Sequence, residues 1–183
     1  MLIRFLKAIS HFPRKLIYNL LKNKAHPIDP GLYVLNMIVQ RVFRINSPMP
    51  WMVHYTSRVT GDVSIGKNVW ISFAVSGGCY IQGLNGIFID DDTILAPGVK
   101  IISANHDQKN LTNIIPSAPI IIGKRCWIGA NAVILPGVNL GDGVIVAAGS
   151  VVNKSFPSDS VLAGVPAKLI KKSDKNSDTK KSP

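Results

Sequence analysis

Acidic residues are scarce in this chain. Ten Asp and Glu face twenty-one Lys and Arg, giving a net charge of +11 over 183 residues. Cysteine is nearly absent, with only Cys79 and Cys126 and no CxxC spacing. That argues against a metal cluster or a disulfide framework and leaves two small, buried apolar side chains. No hydrophobic run reaches the length of a membrane-spanning helix. The opening MLIRFLKAISHFPRK is interrupted by Arg4 and Lys7, so it does not read as a secretory signal, and the cytoplasm is the expected compartment. Histidine is also sparse: only His54 and His106 of the four lie beyond residue 52. A zinc hydratase site built on three imidazoles is therefore not expected.

The positive charge sits at the ends. Residues 1–52 carry eight bases and one acid (Asp29), residues 53–153 carry six of each, and residues 154–183 carry seven bases and three acids. A nucleic-acid reader would place its basic patch on the folded body with aromatics beside it, and here the body is neutral.

What is present is repetition. Steps of six from Val53 reach Val59, Ile65, Ile71, Gly77, Gly83, Ile89, Leu95 and Ile101. A second register runs Ile122, Ile128, Ile134, Leu140, Val146 and Val152. Four residues after the anchors comes a smaller set, including Val69, Val75, Ile81, Ile87, Thr93 and Val99, then Cys126, Ala132, Val138, Val144 and Ser150. A helix repeats near 3.6 and a lone strand near 2. A period of six fits short strands separated by tight corners that need small or φ-permissive residues. Three sides make a coil of eighteen residues, and the fifteen units make five stacked coils. The pattern breaks once, over residues 107–121, and loops thrown out of a rigid scaffold often carry function. His106 stands at the root of this loop, among Ser103, Asn105 and Asp107.

The blocks IGKRCWIGANAVILPGVNLGDGVIVAAGSVV (122–152) and AGVPAKLIKK (163–172) resemble the hexapeptide-repeat acyltransferase family, and the resemblance spans roughly residues 53–172. It implies an all-β fold, a left-handed parallel β-helix, with trimeric assembly and active sites in grooves between neighbouring helices. It further implies acetyl-CoA as the acyl donor and His106 as the catalytic base, with Asp107 beside it. The run IDDDTILAPGVKIISANHD (89–107) is similar to members that O-acetylate sugars of bacterial surface polysaccharides. Asp107, a carbonyl, or one of Asp90, Asp91 and Asp92 could orient the imidazole, and a solvated corner is the plainer reading of that acidic triplet. For coenzyme A the resemblance points to Trp127, Gly129, Ala130, Ala148, Asn153 and Lys154. Lys168 and Lys171 match its phosphate-facing positions. Galactoside and maltose acetyltransferases carry an asparagine about five hexads before the histidine. This chain has Ser76-Gly77-Gly78-Cys79 there, so a different acceptor pocket is expected, with Asn85 and Asn105 as candidates. The competing functions are N-acetylation of an amino sugar, O-acetylation of serine or an antibiotic, a γ-carbonic-anhydrase-like hydratase, and a non-catalytic solenoid.

Residues 1–52 are expected to be helical. Leu2, Phe5, Leu6, Ile9, Phe12, Leu16, Ile17 and Leu20 fall at helical spacing, and Pro13 starts a second helix or kinks the first. Asp29-Pro30 reads as an N-cap followed by proline at the first helical position. Leu32, Leu35, Val39, Val42 and Phe43 would then form one face of a helix. These helices either cap the open solenoid end or, through residues 1–24 with six bases and no acid, lie on an anionic membrane where a lipid-linked saccharide would be met. Residues 171–183 read as a disordered basic tail.

Overall fold

The computed structural model describes residues 27–172. Its fourteen strands and two helices form a left-handed parallel β-helix. The register carries the argument. Trp127 pairs with Ile145, Val133 with Val151, and Ile121 with Asn139, each partner eighteen residues on. One turn of the prism is therefore three hexads. Across the loop the offset grows to thirty-three, as Lys100 pairs with Val133 and Ile94 with Trp127, so the excursion adds fifteen residues to one coil.

Each side of the prism is a stack. One holds the first halves of β1 (Arg58–Ile65) and β2 (Tyr80–Ile89), then β4 (Lys100–Ile102), β9 (Val133–Ile134) and β12 (Val151–Val152). The second holds the other halves of β1 and β2, then β7 (Ile120–Ile122), β10 (Asn139–Leu140) and a bridge at Phe156. The third holds β3 (Ile94–Leu95), β8 (Trp127–Ile128), β11 (Ile145–Val146), β13 (Ser160–Gly164) and the antiparallel β14 (Ala167–Lys172). Columns such as Leu95, Ile128, Val146 and Leu162 are almost fully buried. At about 25 cal/mol per Å² of apolar surface, this interior is the main stabilising term.

The corners follow the hexad. Arg125, Asn131, Gly137, Gly143 and Gly149, six residues apart, all have positive φ. Glycine after the aliphatic anchor has a different cause. A Cβ on Gly129 would lie 2.6 Å from the Ala148 nitrogen and 2.7 Å from the Val146 oxygen, so the next coil's backbone occupies that space.

The regular spacing fails in the first coils, where β1 and β2 pair at offsets of twenty-two and twenty-four. Ile71 is not an inward strand residue. It lies in a helix, α2 (Val69–Val75), which stands in for the missing strand of the third side. The Ser72 hydroxyl accepts from the Leu95 N–H at 3.2 Å and the Ser76 hydroxyl donates to the Leu95 carbonyl at 2.7 Å, replacing a ladder.

The open N-terminal end is covered by α1 (Pro30–Arg41), capped as expected by the Asp29 carboxylate on Gly31 and Leu32 N–H groups. Its buried face is turned away from the one expected. Asn36 and Gln40 point inward, Leu32 and Val39 are half-buried, and Leu35, Val42 and Phe43 are exposed. The reason is hydrogen bonding. Gln40 Nε2 donates to the carbonyls of Asn46, Met49 and Trp51, and its Oε1 accepts from Val53. Asn36 bridges Ala74 and Tyr55, and Asn46 bridges Ser57 and Val59. Three amide side chains thus satisfy backbone groups that no further coil pairs, and a buried backbone group cannot be left unpaired cheaply. The other end of the described chain also differs from expectation: Lys171 and Lys172 belong to β14 rather than to a tail. The expectations for residues 1–24 and 173–183 lie outside the described residues.

Candidate active site

The loop excursion is a β-hairpin. β5 (Asn105–His106) pairs antiparallel with β6 (Ile114–Ile115), Asn105 opposite Ile115 and His106 opposite Ile114. It leaves the prism after Ile102 and returns at Ile120, earlier at both ends than the broken hexad suggested. His106 therefore sits on the outgoing strand of the hairpin and not on a coil corner. It is exposed, so its ring is reachable by a solute.

Among the described residues Asp107 makes no hydrogen bond to that ring. Its Oδ1 accepts from the Lys109 N–H at 2.8 Å, closing a turn. Its side chain lines a shallow groove with Thr112, Asn113 and Ile114. The acidic corner is engaged elsewhere too. Asp90 Oδ1 accepts from the Asp91 N–H, Asp91 Oδ1 from the Lys67 N–H, and Asp92 Oδ1 from Asn68 Nδ2. Asp91 also lies 3.8 Å from Lys124 Nζ. Asp91 and Asp92 thus tie neighbouring coils, whereas the Asp90 contact is local.

Asn85 has a different place from the one expected of an acceptor-binding side chain. Its Nδ2 donates to the carbonyls of Ser103 at 2.9 Å and Ile115 at 3.2 Å and to Ser117 Oγ at 3.1 Å, and its N–H donates to Ser103 Oγ. Ser117 Oγ in turn donates to the Ser103 carbonyl. This clasp ties β2 to both ends of the hairpin. Asn105 is exposed beside His106. The clasp could not be read from the sequence, because Asn85, Ser103 and Ser117 meet only when coil and hairpin are assembled.

Of the residues assigned to coenzyme A, Trp127, Lys168 and Lys171 fall on the third side and Gly129, Ala130 and Ala148 just after its strands, whereas Asn153 and Lys154 follow β12 at the end of the first side. Across that sheet Ile94, Trp127, Ile145, Val161 and Lys171 pair in one row. Paired residues share a face, and the neighbouring row is the buried one, so this row points outward. Trp127 is 54% exposed. Lys168 pairs with Ala163 and Lys171 with Val161 on the same outer face. Strands about 4.8 Å apart place Lys171 roughly 14 Å from Trp127. An apolar strip ending in two cations suits a long, largely apolar ligand arm with a phosphorylated end. Gly129 is buried under the next coil, Ala130 is half-buried, and Ala148 and Asn153 are exposed. Lys154 Nζ lies 5.6 Å from the Phe156 ring centroid. His106 and the Trp127 row belong to separate sheets.

His54 lies away from the hairpin, stacked on Tyr55 and bonded to Thr56, and burial lowers its pKa. Burial raises both thiols, Cys79 and Cys126. Among the described residues no group of three or more His, Cys, Asp or Glu is placed to hold a metal ion. Among them also, no helix is long and apolar enough to cross a membrane.

The chain's similarities agree with this architecture. The model of the hexapeptide repeat of succinyl-transferase matches residues 119–154. A protein provisionally named as the lipopolysaccharide biosynthesis O-acetyl transferase WbbJ of Escherichia coli K12 is 41% identical over 105 residues, 51% of this chain and 54% of that protein. The galactoside O-acetyltransferase of the same organism is 34% identical over 113 residues, 60% of this chain and 54% of its own length. The chain thus spans about half the length of these curated relatives. A hexapeptide-repeat acetyltransferase of Vibrio cholerae, solved with acetyl coenzyme A, superposes with a TM-score of 0.55 at 27% identity over 64% of each chain. With an eighteen-residue coil, hexad corners and these relatives in agreement, the chain carries the hexapeptide repeat and is similar to hexapeptide-repeat acetyltransferases.

Proposed function

We propose that this protein transfers the acetyl group of acetyl-CoA to a sugar hydroxyl, with His106 as general base. The observation that carries the reading is an exposed imidazole on a hairpin clasped to a rigid prism that also bears an outward Trp127–Lys171 row. The relatives' names add the donor and the acceptor class: one solved relative holds acetyl coenzyme A, and two curated relatives are named O-acetyltransferases.

The chemistry assigns each group a task. An alcohol is a poor nucleophile toward a thioester until its proton is removed. Neutral imidazole accepts that proton as the acceptor oxygen bonds to the thioester carbonyl carbon. The oxyanion that forms needs preorganised donors, and backbone N–H groups at the coil corners are of the right kind. As the carbon–sulfur bond breaks, the imidazolium returns its proton to the departing sulfur, leaving the acetyl ester, free thiol and neutral histidine. Trp127, Gly129, Ala130 and Ala148 would line the pantetheine arm, and Asn153, Lys154, Lys168 and Lys171 the nucleotide end. The assembly this reading expects is a homotrimer in which His106 and the Trp127 row, which lie on separate sheets, meet across clefts shared by neighbouring copies. Residues 53–170 are the catalytic unit in this reading, residues 1–52 its cap, and surface polysaccharide assembly in the cytoplasm its setting.

The test is release of thiol from acetyl-CoA across nucleotide sugars, lipid-linked sugars and free saccharides. His106→Ala should lower turnover by about 10²–10⁴ with the fold intact. Full activity in that variant removes the assigned base.

A further inference from the structure

The cap presents an apolar surface that nothing in the described chain covers. Because α1 turns Asn36 and Gln40 inward, its aliphatic side faces away from the prism. Leu35, Met37 and Ile45 are exposed, and Val42 and Phe43 are 68% and 63% exposed. Beside this face lies a cleft of about 530 Å³ lined by Tyr33, Met37, Arg41, Trp51, Met52 and Trp70. Arg41 and Arg44 share an adjoining groove with Ser47 and Pro48, and both are exposed. The only acid in residues 1–52 is Asp29, and its carboxylate is engaged in capping α1.

We propose that this end of the prism docks on an anionic lipid bilayer. Leu35, Val42 and Phe43 enter the headgroup layer, and Arg41 and Arg44 meet the lipid phosphates. Exposed apolar side chains beside exposed arginines form a composition that suits an anionic membrane–water interface. Charge selects this occupant over two others. Residues 1–24 carry six bases and no acid, so as a cover they would place like charge against Arg41 and Arg44. A second copy on the same face would bring the same arginines together. An anionic surface complements both the face and the preceding segment, which then bind together. The proposal does not depend on the chemistry assigned to His106.

Sedimentation of the full chain with vesicles tests it. Binding is expected to phosphatidylcholine vesicles containing phosphatidylglycerol and not to phosphatidylcholine alone, and it should weaken as salt rises. Val42→Ser with Phe43→Ser should lower the partition roughly tenfold or more, since each loses an inserted apolar group. Arg41→Gln with Arg44→Gln should act in the same direction. These side chains are largely exposed, so circular dichroism should be unchanged. Absence of binding to the anionic vesicles overturns the proposal. So does unchanged binding of the Val42/Phe43 variant, which would leave residues 1–24 as the contact. A lipid-free change of oligomeric state in that variant also overturns it, since a second copy would then be the cover.

Discussion

Asn85 and Ile115 are thirty residues apart in sequence, yet Asn85 Nδ2 donates to the Ile115 carbonyl at 3.2 Å. The same nitrogen holds Ser103, where the chain leaves the prism, so one side chain fixes both ends of the hairpin that carries His106. Asn85 is thus a positioning residue. Asn85→Ala should lower kcat about tenfold while KM for acetyl-CoA stays within twofold, because two or three hydrogen bonds of about 1 kcal/mol are lost far from the donor strip. Limited proteolysis should cleave within residues 107–113 faster than in the parent. A rise in KM for acetyl-CoA with unchanged kcat would place Asn85 elsewhere in the reaction.

Gln40 makes a second prediction. Its amide serves three carbonyls and one N–H at the open end of the prism. Gln40→Ala leaves these buried groups to water or to nothing, at about 1–3 kcal/mol for each that stays unpaired. Urea denaturation should show a loss of about 2–3 kcal/mol. Gln40→Leu, which restores apolar volume without the hydrogen bonds, should be no better. Recovery of stability in the leucine variant would mean that packing, and not backbone satisfaction, holds the cap.

These two residues mark where the sequence was legible. From Ile89 onward the inward columns and corner positions repeat every six residues, and the aliphatic residues occupy the core as the spacing predicts. In the first coils the same spacing misleads. VWISFAV is apolar and β-branched enough for a strand, but it folds as α2, since a short apolar run does not distinguish helix from strand. The face of α1 was read only in part for a related reason, since Leu32 and Val39 are half-buried but Asn36 and Gln40 take the innermost places. Hydrophobic periodicity assumes that a helix buries its oily side, whereas the end of a solenoid first needs partners for its backbone. His106 was visible through the broken hexad, but its clasp joins residues that only the coiled fold brings together.

His54 gives the stability a defined pH dependence. Its Nδ1 accepts from the Thr56 N–H at 3.2 Å, which requires a free lone pair, and burial pushes its pKa below 6.5. The unfolded chain therefore takes up the proton first as pH falls. The contribution is complete above the unfolded value of about 6.5 and is lost as pH falls through the lowered folded value. The denaturation midpoint should decline between roughly pH 7 and pH 5, and His54→Gln should flatten that decline. An equal slope in the variant would assign the effect to other groups.

Lys171 and Lys168 lie on the outward face of β14, opposite Val161 and Ala163, while Lys172 pairs with Ser160 on the alternate face. That alternation supplies an internal control. If the Trp127 row carries the pantetheine arm, its cationic end meets the phosphates, and an exposed lysine–phosphate contact contributes about 1 kcal/mol. Lys171→Ala and Lys168→Ala should each weaken coenzyme A roughly fivefold. Dephospho-coenzyme A separates the phosphates: a lysine on the 3′-phosphate should lose affinity for coenzyme A and little for the dephospho form, whereas one on the pyrophosphate should lose both equally. Lys168 is assigned to the 3′-phosphate, so titration calorimetry of its alanine variant should show the unequal pattern. Lys172→Ala, one residue along the same strand, should change neither. An equal effect of all three substitutions would reduce the lysines to a diffuse positive field, since only a defined outward row makes their alternation matter.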